Sequence, residues 1–289
     1  MSLVFYSRTD APEPWREAIG AALPDLPFHV WPDVGDKAAV RYTLVWKPPP
    51  GWHTQFPHLE AILSLGAGVD AILTDPDLPA GVPVTRLVDA GLGRQMAEYA
   101  AYGVLQFQRR MHEYAQLQRE RRWEPLSPIE TGACVVGLLG LGVLGAQAAR
   151  MIAAMGYPVI GCSRTPKRLP GVTCYVAAEL DTFLARTNVL VNFLPLTPET
   201  EGILDARLFA RLPRGAGLVN LARGHHLVDH DLVAALDSGQ LGGALLDVFH
   251  EEPLAGDHPF WSHPRITVTP HIAAVTLASE AAAQVIANL

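Results

Sequence analysis

Short β-rich runs alternate with Ala- and Leu-rich stretches from one end of the chain to the other. That alternation is the pattern of a parallel α/β sheet, and it leaves few other folds open. In a first region Leu3–Tyr6, Tyr42–Trp46, Ala61–Ser64 and Val82–Leu87 read as strands, with a helix at Trp15–Leu23. The proline run Lys47–Trp52 cannot continue a central strand, because proline lacks a donor and fixes φ, so it reads as a loop at a strand end. A second series places strands at Cys134–Leu139, Pro158–Cys162, Val189–Phe193, Gly217–Leu221, Gly243–Val248 and Ile266–Thr269. Helices are read at Val143–Met155 and at Leu232–Ser238, the latter with Asp229 as its N-cap. Two such series in 289 residues exceed the usual size of one core, so two domains are expected.

Between the series, Gly93 to Arg122 has no proline and is rich in helix formers. Met96, Gly103, Phe107, Met111 and Tyr114 recur at threes and fours, which lays them on one face of a single long helix. At roughly 1.5 Å per residue such a helix outruns one small domain, so it is expected to bridge domains or to pack on a second subunit. Trp123 to Pro128 ends it and serves as a linker.

Apolar residues make up 49% and charged residues 18%, as in ordinary globular proteins, and a net charge of −7 argues against non-specific nucleic-acid binding. Polar residues come too early at the N-terminus for a signal-peptide core, and no apolar run is long enough to span a membrane. Cys134, Cys162 and Cys174 lack the spacing of a disulfide framework or zinc site, and a cytoplasmic protein is expected. His225, His226 and His230 lie close in sequence but lack a partner at ligand spacing, so no metal is assigned to them.

The run Cys134–Leu139 leads into Gly140-Leu-Gly142-Val143-Leu144-Gly145 and then an Ala-rich helix. A lone GxGxxG is weak evidence, but after a strand and before a helix it is the dinucleotide-binding context. Gly140 permits the tight turn, Gly142 lets backbone amides approach a pyrophosphate, and Gly145 lets helix and strand pack closely. About 20 residues past the first glycine, NAD sites carry an Asp or Glu that accepts from the ribose 2′-OH. Here the second strand ends instead in Ser163-Arg164-Thr165-Pro166-Lys167-Arg168. A carboxylate would repel a 2′-phosphate, whereas Ser163, Arg164 and Lys167 suit one, so NADP(H) is the expected cofactor.

Three later segments place polar groups just past strands, at the sheet edge where ligands bind in open α/β folds. They are Asn220-Leu-Ala222-Arg223-Gly224, Asp247-Val-Phe-His-Glu-Glu252-Pro253 and Thr269-Pro270-His271-Ile-Ala273-Ala274. With the Gly-rich turn, Asn192–Thr200, Ser64–Asp70 and Gln95–Tyr99, they make the chain resemble the D-isomer-specific 2-hydroxyacid dehydrogenase family, nearest its glyoxylate/hydroxypyruvate reductase branch. The resemblance implies that Arg223 binds and polarises a 2-oxo acid, that Glu252 orients and charges a histidine, and that His271 is the acid/base. It places Leu194, Pro195, Thr197, Ala222, Asp247 and Ala273 on the cofactor, Asp247 at the nicotinamide carboxamide. The chemistry agrees: hydride arriving at a carbonyl carbon leaves negative charge on oxygen, where a cation and a proton donor are needed.

For the substrate carboxylate, the backbone amides of Ala67 and Gly68 form a candidate nest after a strand, and Trp46 is placed to cap a small pocket. The resemblance implies two Rossmann-like or flavodoxin-like domains with parallel sheets and the active site in the cleft between them. A discontinuous substrate-binding domain would comprise 1–94 and 272–289, and an NADP-binding Rossmann domain 95–271. The implied reaction is NADPH-linked reduction of glyoxylate or hydroxypyruvate by a homodimer, with the long helix as the expected subunit contact. Two other readings keep the fold: a dehydrogenase of a larger 2-oxo acid, and a dinucleotide sensor without catalysis. A sensor needs no proton donor, so the Arg223, Glu252 and His271 set weighs against it.

Overall fold

The computed structural model describes residues 1–289, which divide into two units: Met1–Leu92 with Thr276–Leu289, and Gly93–Val275. In unit 1 the strands are β1 (Ser2–Tyr6), β2 (Phe28–Val30), β3 (Val40–Val45), β4 (Ala61–Ser64) and β5 (Val84–Thr85). All pair in parallel, in the order β2-β1-β3-β4-β5, which is the flavodoxin-like winding. Its helices are α1 (Glu13–Ala22) and the short α2 (Asp70–Leu73), and the C-terminal helix Ala278–Asn288 packs on α1. Three of the expected strands lie within two residues of these limits, but Val82–Leu87 shrinks to Val84 and Thr85. The short edge strand β2 has no periodic signal in the sequence, since three half-buried residues carry no alternation.

The chain passes into unit 2 within the first turn of α3 (Leu92–Gln108), which α4 (Met111–Arg119) follows, so one long helix does not form. The break falls at Arg110, whose φ of +57° is left-handed although neither glycine nor proline is present. Its guanidinium forks onto Glu113 at 2.7 and 2.6 Å and reaches the Ser127 carbonyl at 3.2 Å. These contacts hold a turn that local propensity would not choose. Above the sheet, Phe107 of α3 fills the space left by Gly217 and Gly243, where a Cβ would crowd its ring.

The remaining elements are β6 (Val136–Leu139), α5 (Val143–Ala154), β7 (Val159–Ser163), β8 (Val172–Val176), α6 (Leu180–Leu184), β9 (Val189–Asn192), α7 (Ala206–Phe209), β10 (Ala216–Asn220), α8 (Asp229–Asp237), β11 (Leu241–Leu246) and β12 (Ile266–Val268). Seven parallel strands run in the order β12-β11-β10-β9-β6-β7-β8, so the winding reverses between β6 and β9. That is the dinucleotide-binding topology, with its crevice at the reversal. Leu190 and Leu218 enter one helix-covered core while Val191 and Val219 enter the other, so these strands are apolar on both faces. Each such burial stabilises by about 1.5–3 kcal/mol. β8 is a sheet-edge strand with a single buried residue, which is why its sequence signal was faint. Asp229 does not cap α8: Val228 holds that position, and the Asp229 carboxylate instead faces His250 at 3.6 Å and His258 at 3.4 Å. No helix is long and apolar enough to cross a membrane.

Candidate active site

The Gly-rich turn begins where β6 ends. Gly140 has φ +97°, and a Cβ there would press the Phe193 backbone at 2.9 Å. A Cβ on Gly145 would overlap the Gly140 carbonyl oxygen, so only glycine lets α5 start this close to the strand. Gly142 is different: its backbone is extended and nothing lies within 4 Å of where a Cβ would be. No side chain caps α5, and the first-turn amides of Val143, Leu144 and Gly145 have no partner within the helix. Open room, unpaired N–H groups and the positive end of a 12-residue helix fit a pyrophosphate.

Past β7 the Ser163 hydroxyl donates to the Thr165 carbonyl at 2.8 Å, leaving its lone pairs to accept. Arg164, Lys167 and Arg168 are exposed on the same loop. Glu199 lies near enough to Arg164 for the guanidinium to favour its charged form, after hydrogen bonds that include one to Thr197. Across the reversal, the Leu194 amide donates to Asn192 Oδ1 at 3.1 Å, and the Thr197 amide donates to Thr200 Oγ1 at 2.9 Å.

At the same strand ends, Arg223 follows β10, its Nη1 donating to the Ala222 carbonyl at 2.7 Å. A Cβ on the next residue, Gly224, would overlap the Phe249 backbone, so the Arg223 turn lies against the segment from Asp247 to Glu252. The Phe249 amide donates to Glu252 Oε1 at 3.1 Å, and Glu252 Oε2 sits 2.8 Å from His271 Nδ1. Both members are only partly shielded, at 22% and 26% exposure, so solutes can reach the pair. Glu251 is exposed and forms no such pair, which separates the two adjacent glutamates.

His271 has φ +56°, a conformation costing roughly 1–2 kcal/mol for a residue with a Cβ. Asp247 holds it there. The His271 amide donates to the Asp247 carbonyl at 2.8 Å, while the buried Asp247 carboxylate accepts from Thr269 Oγ1 at 2.6 Å and from the Ile272 and Ala273 amides at 2.8 Å. Burial raises the pKa of this carboxyl and its three donors pull the other way. α3 braces the same turn from behind. Tyr99 shares a short hydrogen bond with Thr269, and Gln95 brackets the Val275 peptide, donating to its carbonyl at 2.9 Å and accepting from its amide at 3.0 Å. In the sequence, Gln95–Tyr99 is marked only by its family resemblance and by its place in a helix-forming stretch. Its spacing of four, one helical turn, was the available signal.

In unit 1, Trp46 packs directly over Gly66, where a Cβ would overlap the indole. The Lys47 ammonium stands 5.7 Å from the Trp46 ring. Ser64 Oγ accepts from the Gly66 amide and donates to the Gly68 carbonyl, both at 3.2 Å. The Ala67 and Gly68 amides take no part in backbone pairing. None of Gly66, Ala67 and Gly68 has positive φ, so these amides are presented by an ordinary turn rather than by an alternating-handed nest.

The three nearby histidines have separate surroundings. His226 is fully buried, exposed His225 has its ring 4.9 Å from that of His250, and His230 stands 3.1 Å from Asp231. No group of three or more His, Cys, Asp or Glu is arranged to hold a metal ion. The cysteines are unpaired, and burial pushes the Cys134 thiol up to about 11 and raises that of Cys162, leaving them small hydrophobes.

Residues 102–273 match the family model for the D-isomer specific 2-hydroxyacid dehydrogenase NAD binding domain. The chain is 45% identical to glyoxylate/hydroxypyruvate reductase A of Yersinia enterocolitica, covering 100% of this chain and 94% of the relative. It is 46% identical, with the same coverage, to the protein of that name from Serratia proteamaculans. Among solved structures it is similar to a D-isomer specific 2-hydroxyacid dehydrogenase from Xanthobacter autotrophicus in complex with NADPH and MES. That likeness has a TM-score of 0.92 at 44% identity, over 99% of this chain and 93% of the other. A Sinorhizobium meliloti NADPH-dependent glyoxylate/hydroxypyruvate reductase, solved with NADP and sulfate, gives a TM-score of 0.88 at 41% identity, over 96% and 90%. The Gly-rich turn at the winding reversal, the carboxylate–imidazole pair beside Arg223 and this full-length likeness agree: the chain belongs to the D-isomer-specific 2-hydroxyacid dehydrogenase family.

Proposed function

We propose that this protein reduces a small 2-oxo acid, glyoxylate or hydroxypyruvate, to glycolate or glycerate with NADPH. The observation that carries this reading is the Glu252–His271 pair, set at 2.8 Å beside Arg223 on the strand ends that also bear the Gly140 turn. Bound NADPH supplies hydride. The chain supplies the rest. Glu252 engages Nδ1 of His271, and Nε2 is the ring nitrogen assigned to donate a proton to the oxygen that becomes the hydroxyl. The Arg223 guanidinium holds the carboxylate and draws charge toward that oxygen. Ser163, Arg164 and Lys167 take the 2′-phosphate, and Gly142 with the α5 amides takes the pyrophosphate. Leu194, Pro195, Thr197, Ala222 and Ala273 line the cofactor, with Asp247 holding the turn at its nicotinamide end. In unit 1, Ala67 and Gly68 offer amides to the substrate carboxylate, and Trp46 over Gly66 favours a small acid above a larger one.

The reductase relatives and the NADP-bound structures support this reading. A cytoplasmic setting accords with three unpaired cysteines. A homodimer accords with Tyr102, Leu105, Met111 and Trp123, which are exposed on or just after α3 and α4. It accords too with a groove of about 790 Å³ at the amino ends of β9 to β12, lined by Phe107, His112, Glu113 and Arg265. Elution at monomer mass across a concentration range would remove the dimer.

The decisive test follows NADPH oxidation with glyoxylate and hydroxypyruvate for wild type and His271→Gln. The variant is expected to lose about 10²–10⁴-fold in kcat while binding NADPH normally. Absence of wild-type turnover with either acid, or an unimpaired variant, refutes the proposal.

A further inference from the structure

A fully buried histidine stands between the two loops to which the proposed reaction assigns cofactor and substrate. Asn192 ends β9 and Asn220 ends β10; they are register partners, and both side chains are fully buried. The Leu194 amide can only donate, so the Asn192 atom it meets at 3.1 Å is the carboxamide oxygen. The Asn192 nitrogen then points the other way, donating to Asn220 Oδ1 at 3.1 Å and to His226 Nδ1 at 2.9 Å. Nδ1 of His226 is therefore an acceptor, which places the ring proton on Nε2, 3.2 Å from the Pro195 carbonyl. Asn220 completes the run by donating from Nδ2 to the Arg223 carbonyl at 3.0 Å. A continuous chain of hydrogen bonds thus links the backbone of Pro195 to that of Arg223, and His226 is its one aromatic member.

We propose that His226 is a positioning residue. It holds the Pro195 loop and the Arg223 loop in one register, so that cofactor and 2-oxo acid meet at a set distance. This rests on the assignment of Pro195 to the cofactor and Arg223 to the substrate. A histidine filling core space needs neither ring nitrogen. This one uses both, on Asn192 and Pro195 of the segment after β9, while its own backbone belongs to the turn that follows Arg223, and a buried network with every member satisfied specifies one arrangement of its parts.

The test compares wild type, His226→Phe, His226→Gln and the control His225→Ala, each first shown to be folded by circular dichroism and thermal melting. Phenylalanine keeps the ring and loses both bonds, whereas glutamine offers an acceptor and a donor on one planar group. In His226→Phe the KM for NADPH and the KM for glyoxylate are each expected to rise about three- to tenfold, the equivalent of one ordinary hydrogen bond. His226→Gln recovers most of that change, and His225→Ala matches wild type. A loss of folded protein alone would lower kcat and leave both KM values where they were. Unchanged KM values in folded His226→Phe, or a Phe defect that Gln does not relieve, overturn the inference. Failure of the function itself is read separately, because wild type would then turn over neither acid.

Discussion

His53 is the residue whose surroundings fit its chemistry least. It is fully buried in unit 1 next to Trp52, and neither ring nitrogen has a partner. Burial pushes its imidazole down to about 4 from the usual 6.5, with Asp75 opposing the shift. Above pH 6.5 the ring is neutral whether folded or not, and stability is indifferent to it. As the pH falls from 6.5 to about 4 the unfolded chain takes up a proton that the folded chain refuses, so stability drops across that window. His53→Leu removes both this proton uptake and the unsatisfied nitrogens, whose burial costs about 1–3 kcal/mol. Urea titrations should find the variant more stable than wild type, by a margin that widens from about pH 7 to about pH 5. A constant margin would show that His53 does not govern the acid limb.

At the scale of elements, α3 braces the turn that carries the proposed acid/base His271. Gln95 and Tyr99, one turn apart, grip Val275 and Thr269 on either side of His271, and Gln106 donates to Thr267 in β12 at 2.9 Å. A left-handed histidine needs such support, because nothing in its own sequence favours that conformation. Tyr99→Phe deletes the hydroxyl that Thr269 shares while keeping the ring. The expected result is a several-fold loss in kcat, in line with one hydrogen bond of about 1 kcal/mol, and an unaltered KM for NADPH. A change confined to the KM for NADPH would mean that α3 supports the cofactor loop instead. The break at Arg110 belongs to this scale too. Composition argued for one helix, and a guanidinium–carboxylate fork decided for two.

The whole molecule is where ligand and stability meet. A cofactor that binds only the folded chain stabilises it by about 2.7 kcal/mol at a hundredfold excess over Kd. Thermal melts should therefore rise with NADPH and rise much less with NADH. Arg164→Ala should shrink the NADPH increment toward the NADH one by removing a charge-assisted partner of the 2′-phosphate. Equal increments from both cofactors in wild type would place the selectivity elsewhere than on the loop after β7. The unit that carries this loop was the more legible of the two. Its inner strands β6, β9 and β10 are buried on both faces and its glycines sit at fixed offsets, whereas β2 and β5 of unit 1 are too short to show any period.

What the residues determine unaided is what neighbours along the chain can enforce. The β–α alternation, the strand–turn–helix at Gly140 and the basic loop without a carboxylate each lie within a few turns of backbone, and all were readable as such. So was the membership of Arg223, Glu252 and His271 in ordered motifs. Tertiary structure alone decided which atoms meet: Glu252 with His271 across 19 positions, Asp247 with Ala273 across 26, Asn192 with His226 across 34 and Tyr99 with Thr269 across 170. It also decided against the cap at Asp229 and against the unbroken helix. The reason is physical. Propensity and periodicity act through bonds spaced one to four residues apart, while a hydrogen bond between strand ends has no local trace until the sheet has brought those ends together.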